Sequence, residues 1–96
     1  MKLNNINGTS DLSCKCYSWF EHWKRFSGQT VEYCPVESCL TKNDLVGAHV
    51  QKDSYLDTDW YIAPLCKKHN AETGKSLNVP DWLKLASANV SKTCGY

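Results

Sequence analysis

The sequence has no excess of charge of one sign and no long run of apolar residues. Its 96 residues carry 11 Lys and Arg against 10 Asp and Glu, which gives a formal net charge of +1 with neutral histidines. Composition therefore does not favour a strongly basic nucleic-acid-binding surface. No segment approaches the length of a membrane-spanning helix, and the first residues carry no apolar signal-peptide core. We expect a cytoplasmic protein with no membrane partner.

The sequence also has no internal repeat, no low-complexity tract and no linker, so residues 1–96 are expected to form a single domain. Glycine and proline are few, at 5 and 3 residues, whereas 4 Trp, 5 Tyr and 2 Phe supply large apolar side chains. A chain of this length buries only a modest core, and many domains of this size add a metal or disulfides. Composition thus indicates a folded protein that needs a further source of stability.

Cysteine, by contrast, is abundant, with 6 residues. In a reducing compartment such thiols are more often zinc ligands than disulfides. Two pairs have the spacing of zinc ligands, Cys34 with Cys39 and Cys66 with His69. Zinc takes four nitrogen or sulfur donors at tetrahedral corners, and pairs close in sequence supply them at low entropic cost. The sequence predicts one zinc ion on these four side chains. A secreted module with three disulfides is the alternative.

Three cysteines remain outside this group, namely Cys14, Cys16 and Cys94. Together with one histidine they would form a second zinc site that joins the two ends of the chain to its centre. We prefer His22 as the fourth ligand, because it faces back toward Cys14 and Cys16 from the first predicted helix. His49 is the other candidate for this position. Free or paired thiols are the alternative to a second metal.

Local patterns predict an α+β arrangement. Ser18 and Glu21 have the spacing of a capping box, and an aromatic stripe at helical spacing follows, which predicts a helix over residues 18–27. Residues 45–52 alternate in the manner of a strand, and residues 60–65 have the composition of a second strand, so that the two predict a β-hairpin.

The two ends of the chain have weaker patterns. Residues 1–13 are polar and rich in Asn, and they are expected to form an extended or frayed lead-in. Near the other end, Pro80 precedes Asp81 and Trp82. This segment is expected either to form one helical turn or to run extended to residue 90.

The middle of the chain resembles a known family. A short helix is predicted from residue 66 to 73, which gives the order of the tight loop at residues 34–39 (here called the knuckle), then the hairpin, then the helix. The stretch CPVESC…GAHV…WYIAPLCKKHN resembles the zinc-bound form of the His-Asn-His (HNH) nucleases. The resemblance implies a small zinc-stabilised treble-clef domain with its core at about residues 34–75 and an added N-terminal helix. It places His49 at the catalytic base and Asn70 at the last motif position.

Several positions depart from the pattern of that family: His69 replaces the usual second Cys of the ligand pair, Asn70 replaces the last His, and two catalytic-side positions are altered. Ala48 stands where an acidic residue or His usually precedes the catalytic His, and Tyr61 stands where the central Asn is expected. We therefore expect a non-catalytic or degenerate binding module for DNA, RNA or a protein. The alternative is an HNH-type endonuclease in which His49 deprotonates water and Asn70 helps to hold Mg²⁺ or another divalent ion. No small-molecule substrate is indicated.

Overall fold

The structure, a computed structural model, describes residues 1–6, 18–42, 45–72 and 76–88. The elements in chain order are β1 (Lys2–Asn5), α1 (Trp19–Ser27), β2 (Leu45–Lys52), β3 (Tyr61–Cys66), α2 (Lys67–Ala71), β4 (Ser76–Asn78) and β5 (Ala86–Ser87). The strands form one antiparallel sheet in the order β4-β1-β2-β3-β5. The described part of the chain therefore has an α+β fold. Neither of its helices has the length and apolar character needed to cross a bilayer.

Helix α1 begins and ends where its capping residues predict. The hydroxyl of Ser18 accepts a hydrogen bond from the backbone N–H of Glu21 at 3.1 Å. Gly28 ends the helix with a φ of 70°, a left-handed conformation that glycine adopts without strain. On the buried side of the helix, the indole N–H of Trp23 donates to the carbonyl of Lys84 at 2.7 Å. The helix predicted over residues 18–27 is confirmed.

The hairpin predicted in the middle of the chain is also confirmed. Strands β2 and β3 pair from Leu45 opposite Cys66 to Val50 opposite Tyr61. Strand β2 has its predicted bounds, and β3 is displaced by one residue from the predicted segment. Pro64 lies within β3 beyond its short pairing with β5, at a position where the missing N–H of proline is tolerated.

Residues 2–5 are extended, which is one of the two expected forms, but they belong to the sheet and are not a frayed lead-in. Strand β1 lies inside the sheet between β4 and β2, and Leu3 and Asn5 are buried there. Strand β1 carries little apolar content of its own, and its strand conformation depends on hydrogen bonds to both neighbours. The rest of the expected lead-in, residues 7–13, lies outside the described residues.

The segment after Pro80 forms a single turn where one helical turn is expected, and it does not run extended from there to residue 90. Residues 81 and 82 form a turn, and the N–H of Leu83 donates to the carbonyl of Pro80 at 3.2 Å. Strand β4 precedes this turn and β5 follows it, on opposite edges of the sheet. The turn therefore belongs to a connection that crosses the sheet, and Leu83 is part of the core beneath it.

Helix α1 approaches the sheet most closely at Gly47 in β2. A Cβ atom at this position would lie 2.2 Å from the carbonyl carbon of Trp19 and 2.5 Å from the backbone nitrogen of Phe20. The absence of a side chain is therefore what allows the helix backbone to rest on the strand. His49 lies two residues further along β2, on the same face, and its ring meets that of Trp19 with centroids 4.5 Å apart.

We predict that Gly47→Ala lowers the free energy of unfolding by about 3 kcal/mol or more, because the methyl group meets helix backbone that can yield only by moving α1. Urea unfolding of the metal-loaded protein measures this loss. Gly28→Ala is the matched control, since an added Cβ there has no heavy atom within 4 Å. Its only cost is the strain of holding an alanine backbone in the left-handed conformation. We expect that control to cost about 1 kcal/mol. Equal losses for the two variants would contradict the close packing described here.

Candidate metal centre

Four potential metal ligands converge between the knuckle and the start of α2. Their ligand atoms, three sulfurs and one ring nitrogen, all lie within 4.8 Å of one another. Cys34 and Cys39 come from the knuckle, Cys66 is the last residue of β3, and His69 lies in α2. The structure thus brings together all four residues that the sequence predicts for the first zinc site.

Three distances within this group are close to the edges of a metal-centred tetrahedron. The sulfurs of Cys39 and Cys66 are 3.9 Å apart, and Nδ1 of His69 lies 3.6 Å from the sulfur of Cys34 and 3.2 Å from that of Cys66. Tetrahedral zinc with its usual bond lengths to sulfur and nitrogen has S···S edges of about 3.8 Å and S···N edges of about 3.6 Å. The group can therefore hold one metal ion such as zinc.

Backbone hydrogen bonds give the knuckle its shape. The N–H of Cys34 donates to the carbonyl of Thr41 at 2.8 Å, and the N–H of Cys39 donates to the carbonyl of Val36 at 2.9 Å. Between the two cysteines, Ser38 adopts a left-handed conformation with a φ of 65°. These contacts fold the chain back on itself, so that two thiols five residues apart in the sequence point at one position.

The second pair of ligands is held by the junction of β3 and α2. Cys66 leaves the sheet with extended backbone and is the N-cap of α2, which places His69 one helical turn later. The side-chain amide of Asn5 donates to the carbonyls of His69 at 3.1 Å and Asn70 at 2.6 Å. Sequence reasoning missed Asn5, because its partners lie 64 and 65 residues away and no local pattern signals the contact.

Burial gives the sulfur ligands different acidities in the metal-free protein. Burial raises the pKa of the Cys34 thiol to about 12, against smaller opposing effects of backbone N–H groups. The pKa of Cys39 is lowered: burial, the largest single effect, raises it, but hydrogen bonds from Thr41 and the neighbouring thiols together outweigh burial. A metal ion in this position would supply the positive charge that a buried thiolate at Cys34 requires.

The predicted second zinc site falls largely outside the described residues, since Cys14, Cys16 and Cys94 are not among them. His22 is described and fully buried. Its Nε2 donates to the carbonyl of Ser87 at 2.7 Å. Burial lowers the pKa of His22, and this hydrogen bond partly opposes the shift.

His49 is buried in the middle of β2, with 5% of its surface exposed. Its ring lies against Trp19 and, with centroids 6.4 Å apart, against Trp60. Its Nε2 is buried and has no hydrogen-bond partner in the part of the chain that the structure describes. Burial lowers the pKa of His49, and repulsion from His22 lowers it further. Such an imidazole is neutral near physiological pH, but water reaches it only poorly.

The other positions carried over from the HNH pattern, Asn70 and Tyr61, form hydrogen bonds with different partners. Asn70 is in α2, where its backbone carbonyl accepts the hydrogen bond from Asn5. Tyr61 donates its hydroxyl proton to the carboxylate of Asp57 at 2.7 Å, and this bond is the main reason that the pKa of Tyr61 is raised to about 12. Lys52 lies 3.4 Å from the same carboxylate. The carboxylate of Asp57, in the β2–β3 loop, thus interacts with both Tyr61 and Lys52.

Comparisons of the chain with family models, curated proteins and solved structures found no match. The case for a metal site at this position therefore rests on the positions of the four donor atoms.

We predict that the purified protein binds one zinc ion at this centre with all four ligands, and that Cys66→Ser weakens binding by more than about 100-fold. Loss of supporting hydrogen bonds alone typically costs about 10–100-fold in metal affinity, so the loss of a thiolate ligand costs more. Competition with a chromogenic chelator measures the change. Lys68→Ala is the matched control, because its exposed side chain lies between two ligands without belonging to the donor group. Equal weakening in both variants would contradict this ligand set.

We also predict that zinc affinity rises with pH. The thiol of Cys34 is protonated in the metal-free protein at neutral pH and must lose its proton to bind zinc, so that affinity falls as the solution is acidified. Each proton released on binding changes the affinity by about tenfold per pH unit. Chelator competition at several pH values gives this slope, and a flat profile would show that Cys34 does not bind as a thiolate.

Proposed function

We propose that this protein is a zinc-stabilised, non-catalytic binding module with a treble-clef arrangement and an HNH-like centre. The observation that carries the proposal is the convergence of Cys34, Cys39, Cys66 and His69 at tetrahedral distances. The order of knuckle, β2–β3 hairpin and α2 around this one donor group supports the treble-clef assignment. Bound zinc would fasten the knuckle to the end of the hairpin, because each supplies two of the four ligands.

The surroundings of His49 support a non-catalytic role. A general base must come within hydrogen-bonding reach of the water it deprotonates, whereas His49 is buried between Trp19 and Trp60. The pKa of His49 is lowered by burial and by the charge of His22, and no carboxylate contributes to the shift. The hydroxyl of Tyr61, at the position of the expected Asn, binds Asp57 and is not available to brace a catalytic imidazole.

The surface favours a protein as the partner. Leu40 beside the knuckle is 77% exposed, and Tyr55 and Leu56 in the β2–β3 loop are 90% and 83% exposed. Aromatic side chains such as that of Tyr55 are enriched in protein–protein interfaces. A Cys₃His zinc site adds a charge of about −1 to a chain of +1, which leaves little attraction for phosphates.

Endonuclease activity is the second candidate, and one observation favours it. The Nε2 atom of His49 is a buried nitrogen without a hydrogen-bond partner among the described residues. An unpaired polar atom in such a position is costly and calls for an explanation, and a catalytic imidazole awaiting its substrate is one. Nucleic acid would then be the partner, with the exposed Lys42 and Lys68 next to the metal centre as phosphate contacts.

We predict that the zinc-loaded protein does not nick supercoiled plasmid in the presence of Mg²⁺ or Mn²⁺, because no water molecule has ready access to His49. Agarose electrophoresis measures conversion to the open circular form. His49→Gln is the matched control, with circular dichroism to establish that it folds. Nicking by the parent protein that disappears in a folded His49→Gln variant would overturn the non-catalytic assignment. A plasmid that is retarded in the gel but not nicked would instead show that the partner is nucleic acid and not a protein.

A further inference from the structure

The three sulfur ligands differ in how easily a small solute reaches them. Cys34 and Cys66 are buried, whereas Cys39 is partly exposed. Cys39 lines an open surface cleft of about 280 Å³, whose other walls include Leu40 and Lys68. Hydrogen peroxide, being about the size of two water molecules, fits this cleft easily. Access from solvent therefore singles out Cys39 as the sulfur that oxidants meet first.

The sulfur of Cys39 also lies next to a second sulfur. Its distance to the sulfur of Cys66 is 3.9 Å, and a disulfide requires the two atoms to approach to about 2.05 Å. Cys66 is fixed at the end of β3 within the sheet, whereas Cys39 belongs to a loop whose neighbouring residues Ser38 and Leu40 are exposed. Movement of the knuckle side alone can therefore close the remaining gap.

From these two observations we infer that Cys39 is a site of oxidation by peroxides, and that its oxidation forms a disulfide with Cys66 and releases the metal. The inference rests on the proposed zinc site. It assigns this centre a regulatory role in which zinc is retained under reducing conditions and lost under oxidising ones. The unligated pair Cys34 and His69 that remains after oxidation offers zinc only two of its four donors.

The chemistry balances in two steps. In the first, the thiolate of Cys39 attacks one oxygen of hydrogen peroxide, the O–O bond breaks, and the hydroxide that leaves takes up a proton to give water. Cys39 is then a sulfenic acid. In the second, the thiolate of Cys66 attacks the sulfur of Cys39, the S–O bond breaks, and a second hydroxide leaves as water after protonation. Two thiolates lose two electrons in total, and one peroxide gains them.

The test treats the zinc-loaded protein with hydrogen peroxide and follows two quantities. A chromogenic chelator reports zinc release, and mass spectrometry of the unreduced digest identifies the disulfide. Trypsin cleaves after Lys42 and Lys67 and so separates the knuckle peptide from the peptide that carries Cys66. Additional cleavage after Glu37 separates Cys34 from Cys39, which makes the assignment of the bond unique within the knuckle.

We expect stoichiometric loss of this zinc ion, a Cys39–Cys66 bond as the main product, and recovery of zinc binding after reduction by a dithiol. Lys68→Ala, which lies outside the donor group, is the matched control and should lose zinc as the parent protein does. The test variant is Cys39→His, which offers zinc a nitrogen donor but has no thiol at this position, and its zinc loading is measured before peroxide is added. It should retain zinc at a peroxide dose that empties the parent protein. Cys34→His removes a different sulfur and should still release zinc through the Cys39–Cys66 bond.

Several results would overturn the inference. The inference fails, while the zinc site stands, if the protein binds zinc but keeps it bound in peroxide. It also fails if the main disulfide joins Cys34 to Cys39 or involves a cysteine outside the donor group. If the untreated protein binds no zinc at these residues, the proposed function fails and zinc release with it. The disulfide map still tests the thiol pair in that case.

Discussion

Three thiols and one imidazole meet at one point in this protein, and their convergence brings the knuckle against the junction of β3 and α2. Thiols brought together without a metal gain little from one another, and burial makes the ionisation of Cys34 unfavourable. A bound metal changes this balance, because the complete site does not exist in the unfolded chain and binding free energy becomes folding free energy. Cys39 and Cys66 are 27 residues apart, so a metal bound here would close a long loop as well as neutralise charge.

The hairpin of β2 and β3 connects the metal centre to the rest of the domain. Cys66 at the end of β3 is a member of the donor group, and His49 in β2 lies in the sheet against α1. Gly47 lets the helix backbone approach β2, which in turn covers His49 with the ring of Trp19. The sheet therefore carries a potential metal ligand at one end, and helix backbone packs closely on one of its faces. This arrangement presents the knuckle at the surface and keeps the imidazole of His49 inside.

The knuckle carries two of the four potential metal ligands, and the exposed Leu40 lies beside it, so the proposed metal site, the proposed partner surface and the proposed oxidation site share one short loop. Cys34 turns inward to the metal position, while Cys39 stands at the surface beside the exposed Leu40. A partner that docks on Leu40 would cover the sulfur of Cys39 and limit the access of solutes to it. Loss of the metal would free the loop and alter the same surface. Binding and oxidation at this position are thus expected to oppose one another.

The sequence by itself determined the elements whose bonds are local, together with the donor group of the metal centre. Ser18 and Gly28 mark the two ends of α1 through hydrogen bonds to residues no more than four positions away. The alternating pattern of β2 predicts the hairpin. Ligand spacing identifies the donor group of Cys34, Cys39, Cys66 and His69. Tertiary structure alone decided that residues 2–5 form an inner strand, that Asn5 holds the end of α2, and that His49 is buried. Each of these depends on partners brought together from distant parts of the chain. Spacing along a sequence can encode a turn or a ligand pair, but burial and pairing depend on what the rest of the chain places nearby.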